Sequence, residues 1–264
     1  MSKKRRSVSQ HNQYFEGCSW RYKLQRIDRV EARPAAWSHH GTAFHTAAEH
    51  VELARWKGDG LLDQGDAQDL FNDAYTEAIN KSMKEWPELD DWLRVGGSTE
   101  EDIERRYELG MQQAAEYVTH SNSRLERVWE TPEGVPAIEL RFDVEFAGVP
   151  VVGFIDLVLE RPDGSLIVRD NKTGSMKSKF QLFAYGSALR RMVPGVQVHA
   201  GDWWLAKENR LTRPVKMSMP DQEIEAAFVA LDEGVTAGEF VPQPGFNCRF
   251  CDVSHKCDFF YRKS

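Results

Sequence analysis

The sequence predicts an α/β fold, a mixed sheet flanked by helices, and three observations carry that expectation. Residues 137–172 read as consecutive strands, with a tight turn at Pro162-Asp163-Gly164. Residues 42–57 and 64–120 carry apolar residues at helical spacing, without strand alternation. Two further strand-like runs, 196–206 and 211–216, follow a helical stretch at 179–192 and precede another at 219–236. Helices before and after a central set of strands place the chain in the α/β class. With 264 residues the chain can bury a substantial core as one domain, and it shows no internal repeat or low-complexity tract.

From the start, Lys3, Lys4, Arg5 and Arg6 form a basic arm, expected to be solvated and able to touch phosphate. A helix is expected from Ser9, its N-cap, with Tyr14, Cys18, Tyr22 and Ile27 on one stripe. Pro34 and His40-Gly41 punctuate the next region, and a second helix is expected from near Thr42 to Lys57. His45 and Glu49 share a face there, one turn apart. The acidic helical insert of about 60–120 contains one helix patterned by Leu70, Ala74, Ala78 and Ile79. Another opens on a Ser98/Glu101 capping box, with Ile103, Tyr107, Met111, Ala114 and Val118 on its core side. Trp86 and Trp92 in the connection suit core or lid packing better than base stacking.

The strand at 137–146 alternates Ile138, Leu140, Phe142, Val144 and Phe146 against polar neighbours. The next, Val151 to Leu159, is apolar on both faces apart from Asp156, as in a buried strand. Pro162-Asp163-Gly164 then marks a turn. The following run places Leu166, Val168, Asp170 and Lys172 on one face by the two-residue period. Burying two carboxylates and an amine costs several kcal/mol each unless something compensates them, and a divalent cation would. Two carboxylates around a hard cation, beside a lysine, suit phosphodiester hydrolysis. On the helix that follows, Gln181 and Tyr185 sit at i and i+4, on one face.

Composition is that of a soluble globular protein: 41% hydrophobic and 28% charged residues. No apolar run approaches membrane-spanning length and no secretion signal is evident, so the expectation is a cytoplasmic protein with no membrane partner. A net charge of −7 argues against a general polyanion binder, so nucleic acid must be met by a local basic groove. Lys177, Lys179, Arg190 and Arg191 are candidates for phosphate contact. Of the four cysteines, Cys18 stands alone, whereas Cys248, Cys251 and Cys257 cluster near the other end. Metal ligation is favoured over disulfides. The three C-terminal cysteines with His255 could hold zinc, or Cys18 could close a four-thiolate site for a 4Fe–4S cluster. The extended 240–247 segment, with two prolines and few apolar residues, offers little else to dock the tail.

G-F-I-D, then R-D-N-K-T-G, then Q-L-F-A-Y resembles the ordered motifs of RecB-like nucleases of the PD-(D/E)XK superfamily. G-T-A-F-H-T-A-A-E is similar to the family's first motif, whose histidine points at the metal. The ending P-x-P-G-F-N-C-x-x-C-x-x-x-x-x-C, with the single early cysteine, resembles the iron–sulfur branch that includes AddB-type and CRISPR-associated nucleases. The resemblance implies a restriction-endonuclease-like core, with an iron–sulfur staple joining the two ends of one domain. It implies that His45, Asp156, Asp170 and the Asn171 carbonyl bind Mg²⁺ or Mn²⁺, and that Lys172 serves the attacking water. Gln181 and Tyr185 would position the strand or support the site, and Cys18, Cys248, Cys251 and Cys257 would hold the cluster. The implied activity is exonucleolytic cleavage of DNA, from single-stranded ends, in recombination, repair or phage DNA processing, with a helicase or recombinase as candidate partner. Two departures stand out: Asn171 is polar where the family often has an apolar residue, and Ser19 replaces a common proline. A structure-selective endonuclease and a non-cleaving DNA-binding module are the alternatives.

Overall fold

The computed structural model describes residues 4–58, 60–174 and 178–260. Its centre is a mixed sheet whose strands are β1 (Arg127–Val128), β2 (Ile138–Phe146), β3 (Val149–Glu160), β4 (Leu166–Lys172), β5 (Val198–Leu205), β6 (Arg210–Leu211) and β7 (Val215–Lys216). The order is β1-β3-β4-β5-β6, with β2 also pairing β3 and β7 also pairing β5. Among the described strands only β4 and β5 pair in parallel. A parallel pair needs a crossover, and helix α6, Phe180–Met192 once the others are counted, supplies it.

The helices that precede it are α1 (Val8–His11), α2 (Ser19–Tyr22), α3 (Ala36–Lys57), α4 (Gln64–Glu85) and α5 (Thr99–Ser123); α7 (Asp221–Ala237) follows. Helices α3, α4 and α5 form a layer with its own core of Phe44, Phe71, Tyr75, Trp92 and Tyr117. The other core joins Phe142, Phe146 and Val168 of the sheet to Leu182 of α6, Phe228 of α7 and Tyr14 and Tyr22 of the N-terminal segment. Capping boxes start both helices of the insert, Asp63 with Asp66 and Ser98 with Glu101, the second as the sequence predicts. Trp92 is buried and donates its indole N–H to the Trp86 carbonyl at 2.9 Å, a packing role.

Several local expectations need correction. Ser7, not Ser9, caps α1, accepting from the Gln10 amide. The basic arm is docked from Arg6, which bridges to Val151 beside β3 and is 5% exposed, its guanidinium on Asp232 and Tyr22. Helix α3 begins at Ala36 and runs straight through His40-Gly41. Burial explains this: His40 is enclosed and bonded to Gln113 at 2.8 Å, and Gly41 takes ordinary helical geometry. In α4 the buried stripe is Ala67, Phe71, Tyr75 and Ile79, so Leu70 and Ala74 flank it. The run 211–216 divides into two short edge strands. Lys3 and Lys177 lie outside the described residues. No helix among the described residues is long and apolar enough to cross a membrane.

Candidate active site

The site forms where β2 and β3 break their alternation. Ile138 pairs with Leu157 and Leu140 with Ile155, so Glu139 stands opposite Asp156, yet these two are missing from the ladder. Glu139 takes a left-handed backbone, φ 43°. Non-glycine residues there are strained, and such strain concentrates at functional sites. The consequence is visible in packing. Ile138 and Leu157 join one cluster while Leu140 and Ile155, two residues away on their strands, join another. Side chains two apart in a regular strand share a face. The break thus resets both strands around one acidic pair.

Helix α3 delivers His45 to that pair, its Nδ1 lying 3.5 Å from Asp156 Oδ2 and 3.6 Å from Glu139 Oε1. Ligand atoms of His45, Glu139 and Asp156 all lie within 4.8 Å of one another. The β3–β4 ladder ends at Leu157–Arg169, and one residue beyond it Asp156 Oδ2 accepts the Asn171 amide at 2.9 Å. The side chain thereby ties the end of β4 to β3.

On β4, Asp170 is fully buried and holds Lys172 Nζ at 3.0 Å from Oδ1 and 2.8 Å from Oδ2. Gln181 Nε2 donates to Asp170 Oδ1 and to the Tyr185 hydroxyl, both at 2.8 Å. The i, i+4 pair on α6 is thus one hydrogen-bonded unit behind the strand end. Asp170 Oδ2 accepts no aligned hydrogen bond although it is buried.

Electrostatics mark the crevice as short of positive charge. Burial, then the neighbouring Asp156, push Asp170 up to about 7 against the pull of Lys172. Burial also raises Asp156, with His45 opposing and Glu139 adding. For His45 burial acts downward, but Asp156 and Glu139 outweigh it and raise the imidazole to about 9. Burial, then Asp156 and Asp170, hold Tyr185 well above the usual phenol range, so it stays protonated. The donor set, three carboxylates and one imidazole gathered at one crevice, fits a hard divalent cation.

The predicted residues therefore gather as two adjoining groups: His45 with Asp156, and Asp170 with Lys172, Gln181 and Tyr185. Glu139 is the residue that sequence reasoning misses. It is polar in an alternating strand, which reads as a solvent-facing position. The signal that could have found it is the Ala147-Gly148 turn, whose positive φ values of 47° and 78° make a two-residue hairpin. Counting back from Phe146–Val149 sets Glu139 against Asp156. Glu49 is not among the carboxylates within 4 Å of the His45 ring; Glu139 and Asp156 are. Arg190 and Arg191 are occupied by Asp221 and Glu225 on α7, a structural duty.

The cysteines come from both ends of the chain. Burial raises the Cys257 thiol against the Phe259 amide, with Cys18 and Cys248 adding to it, and Cys257 contributes in turn to Cys251, so thiols from the two ends lie near one another. The expectation that little else docks the C-terminal tail needs correction. Ser19 bonds Val241 in both directions at 2.7 and 3.1 Å, and Arg21 and Gln25 hold Asp252 at 3.1 and 2.6 Å. Arg33 reaches Ser254 at 2.6 Å, and Tyr22 stacks on Phe240.

Two phage proteins are similar along nearly the whole chain. The Gene 69 protein of Mycobacterium phage D29 is 40% identical over 265 residues, covering 97% of each chain. The Gene 69 protein of Mycobacterium phage L5 is 36% identical over 282 residues, covering 97% of this chain and 96% of its own. The solved structure of SSO0001 aligns with 69% of this chain and 80% of its own at 17% identity and a TM-score of 0.37, too slight a likeness to argue from. The profile of the PD-(D/E)XK nuclease superfamily matches residues 5–258, and the chain belongs to that superfamily.

Proposed function

We propose that this protein is a metal-dependent DNA exonuclease of RecB-like type, hydrolysing phosphodiester bonds from single-stranded ends during recombination, repair or phage DNA processing. The observation that carries the reading is the convergence of His45, Glu139 and Asp156 beside the Asp170–Lys172 pair. His45, Glu139, Asp156 and Asp170, with the Asn171 carbonyl, would hold Mg²⁺ or Mn²⁺. A hard cation bound there polarises a phosphate and acidifies water at neutral pH. Lys172 stays fixed by Asp170 at 2.8–3.0 Å, so its ammonium is in place for charge growing on phosphate oxygens. Gln181 orients Asp170, and the protonated Tyr185 closes the back of the site.

The second part of the reading is that Cys18, Cys248, Cys251 and Cys257 hold a 4Fe–4S cluster. What supports it is that Cys18 and Cys248 both act on the Cys257 thiol, so the early cysteine joins the C-terminal ones, where a local zinc site would need only the three C-terminal cysteines and His255. The cluster's role would be structural, tying the two ends of the chain together.

The test is release of nucleotides from labelled linear and circular single-stranded DNA, with Mg²⁺, Mn²⁺ or chelator. Metal-dependent release from linear strands alone is expected. Cutting of circles would establish an endonuclease instead, and metal-independent or absent cleavage would overturn the site. Anaerobically purified protein should carry about four irons per chain; one zinc, unaffected by Cys18→Ser, would overturn the cluster and leave the nuclease reading intact.

A further inference from the structure

A second constellation lies outside the crevice, on the β5–β6 side of the sheet. A cavity of about 770 Å³ opens between α4, α5 and the β5–β6 turn, lined among others by Gln64, Gln68, Gln112, His120, Trp204 and Asn209. Its charged lining residues are Glu116 and Arg210, of opposite sign, and Arg210 is already paired with Glu208 at 2.6 Å. The cavity thus offers no cationic cradle for a free phosphate. Recognition there must come from uncharged donors, acceptors and ring faces.

Those groups are held in place. His120 stacks on Trp204 at 4.1 Å between ring centroids, with planes 16° apart. Arg169 donates to His120 Nε2 at 3.3 Å, and Arg169 is itself clamped by Asp202 through two bonds of 2.8 and 2.9 Å. An arginine can only donate, so the imidazole proton sits on Nδ1. Burial, then Arg169, keep the ring neutral by lowering its pKa to about 4. Trp204 is 3% exposed and its indole N–H is buried, so the indole backs the imidazole and leaves the other face of His120 toward the cavity. Gln64, Gln68 and Gln112 each donate through Nε2 to Thr119, Met111 and Glu116 at 3.0, 3.3 and 2.8 Å, leaving the amide oxygens to accept.

We propose that this cavity is a binding site for a nucleobase, taken flat against the His120–Trp204 stack and read by the His120 ring N–H and glutamine oxygens. A base is the ligand that matches each part: a planar π-face, neutral donors and acceptors on its edge, and no need of a counter-charge. Trp204 pairs with Asn171 across β4–β5, so by strand alternation its side chain and the cavity lie on the opposite face of the sheet from Asp170 and Lys172. Resting on the nuclease reading, the base would belong to a nucleotide of the bound strand that has passed around the sheet edge, away from the scissile bond. A free nucleotide presents the same chemistry.

The experiment measures binding of the full-length protein without divalent metal, so that nothing is cut. One arm titrates adenosine and thymidine, with ribose 5-phosphate as the control lacking a base. The other titrates single-stranded oligonucleotides in which one abasic position is moved along the strand. Ala115→Phe fills the cavity from a partly exposed helix position, and His120→Phe keeps the stack but removes the ring N–H. In the wild type, one abasic position should weaken binding roughly 5- to 100-fold, the equilibrium equivalent of one stacked base. Ala115→Phe should abolish that dependence and His120→Phe should reduce it, with melting temperatures unchanged. Saturable nucleoside binding without any abasic penalty would support the site with a free nucleotide as its occupant. Equal binding of base-bearing and baseless ligands, or full retention of the preference in folded Ala115→Phe, overturns the proposal. Lost cleavage with retained base preference overturns the nuclease reading alone.

Discussion

Helix α3 carries two buried charge centres, two turns apart, and they are built on opposite plans. At Glu52, one oxygen accepts from Tyr117 at 2.8 Å and Ser121 at 3.0 Å, and Arg124 grips both oxygens. Burial would raise this carboxyl, yet Arg124 outweighs it and the pKa is lowered. At the sheet, Asp156 and Asp170 face a single lysine and one histidine, and burial wins, raising both. Equal burial thus gives opposite outcomes, decided by the number of fixed donors. The first centre is complete and bonds α3 to α5. The second holds three carboxylates, Glu139, Asp156 and Asp170, against Lys172 and His45, and is left short of positive charge.

The largest expected effect breaks the complete centre. Glu52→Ala strands Arg124, 9% exposed, without its partner, and truncating one side of a buried pair costs about 3–5 kcal/mol. Denaturant unfolding should show that loss, while activity per folded molecule persists. Equal stability would mean the centre is solvated and the comparison is void.

Breaking the incomplete centre should do the reverse. Asp170→Asn removes a carboxylate that repels Asp156, so stability without metal should hold or rise. Metal-dependent hydrolysis should fall at least roughly 10²–10³-fold, the usual loss with one transition-state stabiliser. A melting temperature that drops with turnover intact would reassign Asp170 as structural.

Glu139 sharpens the contrast, because its strain is local and relievable. Glu139→Gly suits a φ of 43° without the side-chain clash, so stability should be unchanged or slightly improved. Loss of one oxygen ligand should weaken Mg²⁺ or Mn²⁺ binding by about 10–100-fold, a range seen even for groups that only support a ligand. Calorimetric metal titration reads this directly. Unaltered affinity would remove Glu139 from the site.

The two centres also differ in how far the sequence reveals them. Asp156, Asp170, Lys172, Gln181 and Tyr185 are close along the chain, and strand and helix periods alone set their mutual positions. The Ser98 capping box is legible for the same reason, since all its atoms lie within four residues. Glu139 needs the register of a second hairpin, and Glu52 needs Arg124, 72 residues away, to be recognised as buried. The helix start at Ala36 is hidden because His40 and Gly41 are punctuation only in isolation. The partner of His40, Gln113, lies 73 residues along the chain. Arg6 reads as a solvated tail residue until the fold brings Asp232 to it.

The smallest expected effect tests whether the helical layer is complete throughout. His40, 1% exposed on α3, has its pKa lowered to about 4, burial outweighing the Gln113 bond. In the unfolded chain it titrates near 6.5, so between 6.5 and 4 the unfolded state binds the extra proton. Stability should therefore be flat in this respect above pH 6.5 and decline as pH falls toward 4. Of the groups packed on it, Arg105 and Arg106 also oppose its charging, and among the described residues no carboxylate contributes to holding a proton there. The loss should be on the order of 1–3 kcal/mol, given about 1.4 kcal/mol for each tenfold change in proton affinity and some relaxation. His40→Gln, which keeps a donor and an acceptor for Gln113, should flatten that limb of the stability–pH curve at some cost in packing at neutral pH. A wild-type curve with no decline over that range, or one that His40→Gln leaves unchanged, would show that acid acts elsewhere, on Glu52 or the carboxylates of the crevice.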